Sequence, residues 1–273
     1  MSFEALEESV DSGSPTELYV FEYGAKKYLY TTNEVAITYL SEVYEPLSMH
    51  RSRISQNTER GKNDITVVVP RLSEVAGLFI VAPPTEKMSL SILRIHRSDL
   101  TDAVTIWKGR VVNSKYTSDQ TAELLCESFY TSLGRMGLRR GFGRQCDHAL
   151  YDSQCRLTKS NYAFTSAPTL VTNLQITVTG ADAYADGYFL GGTIEWLNDD
   201  SNVQERRMVA AHVGELVTVT HHILALENAQ EVVLYPGCPH DMATCKSRFG
   251  NLDNYGGFPF MPEMNPFGGS ALF

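Results

Sequence analysis

Four of the five cysteines in this 273-residue chain fall into two distant pairs. Cys146 and Cys155 have eight residues between them, Cys238 and Cys245 have six, and 82 residues separate the pairs. Thiolates are soft donors, and four of them satisfy either one tetrahedral zinc ion or the four irons of a cubane cluster. Structural zinc sites usually space each pair of thiols two to four residues apart, because a tight knuckle must aim both sulfurs at one ion about 2.3 Å away. Both gaps here are longer, which suits a cluster whose iron corners are spread in space. Four unlinked thiols with packing roles are the plain alternative, since cysteine often behaves as a small buried apolar residue. Cys126 is the internal contrast: it lies in the alternating stretch AELLCESF and reads as core.

Other residues near the pairs have chemistry of their own. His148 and His240 each follow a cysteine by two positions, as metal ligands or, the preferred reading, as hydrogen-bonding neighbours of a complete thiolate set. The same closeness is poor support for a cysteine peptidase, whose Cys and His normally come from distant segments and need an orienting group and an oxyanion hole. The stretch 132–159 carries Arg135, Arg139, Arg140, Arg144, Arg156 and Lys159 against Asp147 and Asp152. Guanidinium groups beside an anionic cluster would stabilise it, and Arg144 is the candidate nearest Cys146. A solvated, partner-facing or ion-paired loop is the competing reading. His221 and His222 read as surface or turn-adjacent residues. No phosphate loop, nucleophile elbow, HExxH motif or convincing carboxylate pair occurs, which weighs against an enzyme.

The elements that must position these residues read as β-strands. LYVFEY and KKYLYTT flank a turn-prone Gly24-Ala25, DITVVVP ends on Pro70, and segments 89–97, 103–117 and 120–130 alternate apolar and polar residues. RLSEVAGLFI has the spacing of one or two helical turns. After the Gly- and Arg-rich connection come 174–180, 187–197, 205–223 and 230–237, again strand-like. The expected fold is therefore mainly β: two small barrel- or sandwich-like modules with a loop-rich, metal-stapled C-terminal region. The expected division is a flexible acidic segment over 1–16, an N-terminal β-domain over 17–134 and a C-terminal β-domain over 135–273. The closing GGFPFMPEMNPFGG, dense in Pro, Phe and Met, is expected to pack on its own domain, anchor to a neighbour or cover the cysteine site.

Composition sets outer bounds. Hydrophobic residues make up 43% and charged residues 20%, so the bulk of the chain should fold. A formal charge of −9 disfavours general nucleic-acid binding. No stretch approaches the roughly 20 apolar residues of a membrane span, and no signal-peptide pattern opens the chain, so synthesis in the host cytoplasm is expected. In a reducing compartment five cysteines are expected to be free, metal-bound or catalytic rather than disulfide-bonded.

The passages GLRRGFGRQCDHALYDSQC and YPGCPHDMATCKSRFGNLDNYGGFPFMPEMNPF resemble the C-terminal module of a phage-conserved tail hub family that includes the hub of gene transfer agents. YEPLSMHRSRISQ at 44–56 and WKGRVV at 107–112 extend the likeness over about residues 17 to 267. The resemblance implies a tail-tip or baseplate hub in a long-tailed bacteriophage virion. It implies an iron–sulfur cluster of the 4Fe-4S type on Cys146, Cys155, Cys238 and Cys245, as in the lambda-like tail-tip protein. It further implies a homotrimeric ring touching the distal tail protein, the central fibre or receptor-binding protein, and the tape-measure protein. The rival is a zinc-stabilised, tail-associated cell-wall hydrolase.

Overall fold

The computed structural model describes residues 3–11, 13–55, 63–80, 84–116, 118–134, 137, 141–172, 174–199, 201–223, 226 and 231–262. The chain divides into two compact units, 1–135 with 197–205, and 136–196 with 206–273. The division is thus not a single cut.

The first unit opens with the short helix α1 (Phe3–Glu7). The acidic opening, expected to hang loose, is tied down there. Leu6 is buried, Phe3 packs edge-on to His96, and Glu7 reaches both Arg94 (3.5 Å) and His96 (3.4 Å). Strands β1 (Pro15–Tyr23), β2 (Lys26–Thr31), β3 (Ile37–Tyr39), β4 (Glu42–Pro46), β5 (His50–Arg51) and β6 (Ile65–Pro70) follow. Helix α2 (Glu74–Gly77), capped by Ser73, falls where helical spacing was read. Strands β7 (Met88–His96), β8 (Asp99–Tyr116) and β9 (Thr121–Ser128) and helix α3 (Phe129–Ser132) complete the unit.

The nine strands are ordered β3-β4-β2-β1-β7-β8-β9-β6-β5. At about 4.8 Å per strand, β4 and β5 would lie about 34 Å apart in a flat sheet. Yet only Leu47, Ser48 and Met49 join them, a reach of about 15 Å. The sheet must therefore curl back on itself. Alternation fixes what the curl encloses: Tyr19, Phe21 and Tyr23 of β1 meet Leu90 and Ile92 of β7 and Leu124 and Cys126 of β9 in the main core. Cys126 is a core residue, as its neighbours indicated.

An ion pair clasps the curl. Glu17 on β1 accepts from Nε (2.9 Å) and an Nη (2.5 Å) of Arg51 on β5, and from the Tyr19 hydroxyl (2.7 Å), with Arg94 at 3.7 Å. Burial pushes the Glu17 carboxyl up, but the bonds from Arg51 and Tyr19 and the charges of Arg51 and Arg94 outweigh it and hold the group below its ordinary value.

The second unit contains β10 (Phe164–Ser166), β11 (Pro168–Val171), β12 (Gln175–Val178), β13 (Thr193–Asn198), β14 (Val203–Val213), β15 (Leu216–Val219) and β16 (Val232–Tyr235), with helix α4 (Met242–Ser247). The outer ends of β13 and β14, with the turn between them, count with the first unit. Their order is β10-β16-β13-β14-β15-β12-β11. The two end strands are consecutive in sequence, separated by Ala167 alone. A flat sheet would hold them about 29 Å apart, whereas Ser166 to Pro168 spans at most about 8 Å. This sheet also closes, with Pro168 at the bend between the two edges. Its core gathers Phe189, Ile194, Trp196, Val209, Val217 and Leu234.

The structure is mainly β in two curled sheets, as the alternation implied. Residues 187–192 are the exception: GYFLGG was read as the start of a strand but forms turns, with Gly187 and Gly191 at φ of 78° and 72°.

The Glu17 clasp should fail in acid. Its folded-state pKa is depressed, so its contribution is present above the unfolded value near pH 4.3 and is lost as pH falls through the folded value. Glu17→Gln is expected to lower unfolding free energy by about 2 kcal/mol at pH 7. Urea titrations at pH 7 and near pH 3 should show this gap narrowing in acid, and a gap that does not change with pH would contradict the assignment.

Candidate metal centre

The second unit continues around its barrel in two loops and a short helix. The first loop, 141–158, contains no regular element. Its shape is set by Asp152, whose carboxylate accepts the N–H groups of Cys155 (2.6 Å), Gln154 (2.9 Å) and Ala149 (3.1 Å). The bond from Cys155 N–H leads in holding this carboxyl below the usual carboxylate range. Tyr151 and Arg156, both at left-handed φ, bracket the turn that presents Cys155.

The second loop leaves β16 through Pro236-Gly237. His240 turns at φ 65°, so its N–H points back at Cys238 Sγ (3.4 Å). Asp241 then caps α4 through Thr244 N–H (2.7 Å), and Cys245 lies buried on that helix. Alternation carries no signal for a six-residue helix, and none was read here. The loops are bonded directly, Cys146 N–H donating to the His240 carbonyl (2.9 Å).

Cys146, Cys155, Cys238 and Cys245 line one small cavity of about 20 Å³, together with His148, His240, Asp241, Phe249, Asn251 and Tyr255. Burial pushes the Cys238 thiol up; the His240 N–H draws it partly back, and Cys146 and Cys155 raise it again. For Cys245 burial again leads, with Cys238, Cys146 and Cys155 adding to the rise. The four sulfurs are thus close enough to feel one another's charge. Among the described residues, no group of three or more His, Cys, Asp or Glu converges as a single-ion site.

Two histidine nitrogens at the cavity are buried without a hydrogen-bond partner. Nδ1 of His148 donates to the Asn254 carbonyl at 3.1 Å, and Nε2 lies 3.5 Å from an Asp147 carboxylate oxygen. In His240 the orphan is Nδ1. Four thiols lining one cavity, with two imidazoles beside them, make a donor set that suits a soft metal centre.

Arg144 does not line this cavity. It is exposed, its Nε donates to the Met261 carbonyl (2.9 Å), and its own carbonyl accepts the Tyr255 hydroxyl (2.9 Å). Arg156 is exposed, Lys159 pairs with Glu195 (2.6 Å), and Arg135, Arg139 and Arg140 lie outside the described residues. Arg248, which does not line the cavity either, ties down the chain just before Cys238. It donates to the carbonyls of Gly237 (2.8 Å) and Tyr188 (3.1 Å) and covers the Tyr188 ring. The sequence reading gave Arg248 no role, and only its place between Cys245 and Phe249 could have marked it.

The segment after α4 closes the site. Asn251 bonds to Cys155 and Cys245, Tyr255 bridges the Arg144 and His240 carbonyls, and Gly256 N–H donates to Cys146 Sγ (3.3 Å). Phe258 N–H continues the contact to the Gly143 carbonyl (2.8 Å), and its ring meets Phe142. The C-terminal stretch therefore packs on its own unit as far as Pro262, although Phe260 is exposed; residues 263–273 lie outside the described part. His221 and His222 are exposed beyond β15 and take no part in the site.

Comparison with known proteins bears on what this arrangement belongs to. No curated protein matches the sequence. A solved chain from the virion of a native gene transfer agent particle matches with a TM-score of 0.79 at 18% identity, over 96% of this chain and 93% of that one. At that identity the likeness concerns the fold. Residues 187–265 match the family described as phage conserved hypothetical protein BR0599. Residues 18–158, just over half of the chain, match the model of the baseplate hub protein N-terminal attachment domain. The chain therefore belongs to the phage baseplate hub protein family, a structural component of the virion tail.

Proposed function

We propose that this hub subunit holds an iron–sulfur cluster of the four-iron type on Cys146, Cys155, Cys238 and Cys245. The cluster staples the end of the second unit to its beginning. The observation that carries the reading is that two cysteine pairs, 82 residues apart in sequence, line one cavity. Three of the sulfurs already face N–H donors, from Gly256, His240 and the Asn251 amide. Such donors balance the negative charge of a thiolate-bound cluster. The wide spacing within each pair favours a cluster over a single zinc ion, the rival reading.

When bound, the group supplies a multi-point crosslink and a centre that can change oxidation state. The crosslink alone accounts for a role in a virion. Closing a loop of about 80 residues removes about 4 kcal/mol of unfolded-chain entropy by analogy with a disulfide, before metal-binding energy is added. His148 and His240 act beside the thiolates as hydrogen-bonding neighbours, and the chain has no catalytic task. In the assembled tail, three copies form a ring that joins the distal tail protein to the central fibre or receptor-binding protein and meets the tape-measure protein. This assembly follows from the resemblance of the cysteine motifs to hub proteins.

The GGFP motif supports the staple sterically. A Cβ on Gly257 would stand 2.5 Å from the Arg144 carbonyl oxygen and 2.7 Å from Gln145 backbone atoms, which cannot swing aside as a side chain can. One on Gly256 would collide with the His148 imidazole and the Asp147 carboxylate.

Three outcomes are expected. The full chain purified without oxygen should be brown, with iron and acid-labile sulfide in about equal amounts near four per chain. Cys155→Ala and Cys238→Ala should lose both, and Cys126→Ala should keep them; a colourless protein with one zinc per chain would overturn the cluster. Gly257→Ala should destabilise the second unit by about 1–3 kcal/mol in urea, whereas Gly77→Ala, with open space around it, should not. Peptidoglycan release by wild type above that of Cys146→Ala would restore the hydrolase reading.

A further inference from the structure

Asn251 joins the two cysteine pairs through both its backbone and its side chain. It is only 8% exposed. Its Nδ2 donates to the Cys155 carbonyl at 2.6 Å and lies 3.7 Å from Cys155 Sγ. Its backbone N–H donates to the Cys245 carbonyl (3.1 Å), and its own carbonyl accepts from Cys245 Sγ at 3.3 Å. Cys155 and Cys245 come from opposite pairs, so one residue spaces the two halves of the site.

The orientation of the amide is itself fixed. Asn254 Nδ2 donates to Asn251 Oδ1 at 2.7 Å, and an amide whose oxygen takes that donor must turn its nitrogen toward Cys155. Asn254 in turn receives the His148 Nδ1–H on its backbone carbonyl. A chain of hydrogen bonds thus runs from His148 through Asn254 and Asn251 to the Cys155 sulfur.

We infer that Asn251 is a positioning residue for the metal centre, which sets the place of Cys155 relative to Cys245 and tunes the centre's reduction potential, with Asn254 holding its amide in register. The inference rests on the cluster reading above. An N–H aimed at a ligand sulfur withdraws negative charge, stabilises the more negative reduced state and raises the potential. Replacing the amide nitrogen by a carboxylate oxygen keeps the shape, removes both donors and sets a negative charge against the Cys155 carbonyl and sulfur.

The test uses the full chain purified without oxygen, in wild type, Asn251→Asp and Asn254→Ala forms. Iron release to a chelator is timed, the midpoint potential is measured by spectroelectrochemistry, and urea midpoints are recorded after metal removal. Asn251→Asp is expected to lose iron about tenfold faster, in line with other residues that support metal ligands, and to shift the potential downward. Asn254→Ala, a milder change outside the thiol set, should shift it in the same direction by less, and it decides the matter if Asn251→Asp does not fold. A wild-type chain that holds iron while both variants keep its release rate and potential would overturn the inference alone. A loss of urea stability with unmoved potential marks a purely structural residue and overturns it too. A wild type without iron overturns the cluster reading, and this inference with it.

Discussion

Gathering four sulfurs into one small cavity is the constraint on which the rest of this unit depends. Ionised, they repel across a poorly solvated space. Neutral, they are four small apolar groups, and loops built from Asp caps, left-handed turns and a six-residue helix would be an unusual way to pack them. The rises at Cys238 and Cys245 express that conflict in the metal-free chain. A bound cationic core removes it, because the thiolates then meet iron charge instead of one another. The N–H donors from Gly256, His240 and Asn251 point the same way, since a neutral thiol gains little from them.

The surrounding fold accounts for how residues 82 apart can meet. Antiparallel pairing within the seven-stranded sheet puts β16 beside β10, the first strand after the Cys146–Cys155 loop. The chain therefore returns on β16 to within one strand of where the first loop ended, and Cys238 follows directly. Phe249 and Tyr162 stack edge to face across this junction, and Tyr151 leans on both Tyr162 and Tyr235. A metal staple there would hold the end strand β10 against β16, where an edge is otherwise free to fray.

Much of the first unit was legible because β6 and β9 alternate cleanly, and β1 and β7 do so over most of their length. What alternation cannot carry is which edges meet. Neither the Glu17–Arg51 clasp nor the return from β4 to β5 is written in any local pattern, because both depend on strands distant in the sheet order. The cysteine types and spacing singled out four residues that line one cavity, and Cys126 could be set apart by its neighbours. Arg144 could not be judged by proximity alone. Its position beside Cys146 suggested charge support, but its guanidinium bonds to the Met261 carbonyl, while Arg248, a hundred residues later, holds the Gly237 carbonyl next to Cys238. Asn251 and Tyr255 act through backbone carbonyls, and a sequence shows which groups are present but not which carbonyls turn toward them.

X-ray absorption at the iron and zinc edges of the anaerobically purified full chain tests the central claim most directly. A four-iron cluster on these cysteines predicts a shell of sulfur neighbours around iron and a second shell of iron neighbours. A sulfur shell around zinc with no metal neighbour, or a protein without bound metal, would contradict it.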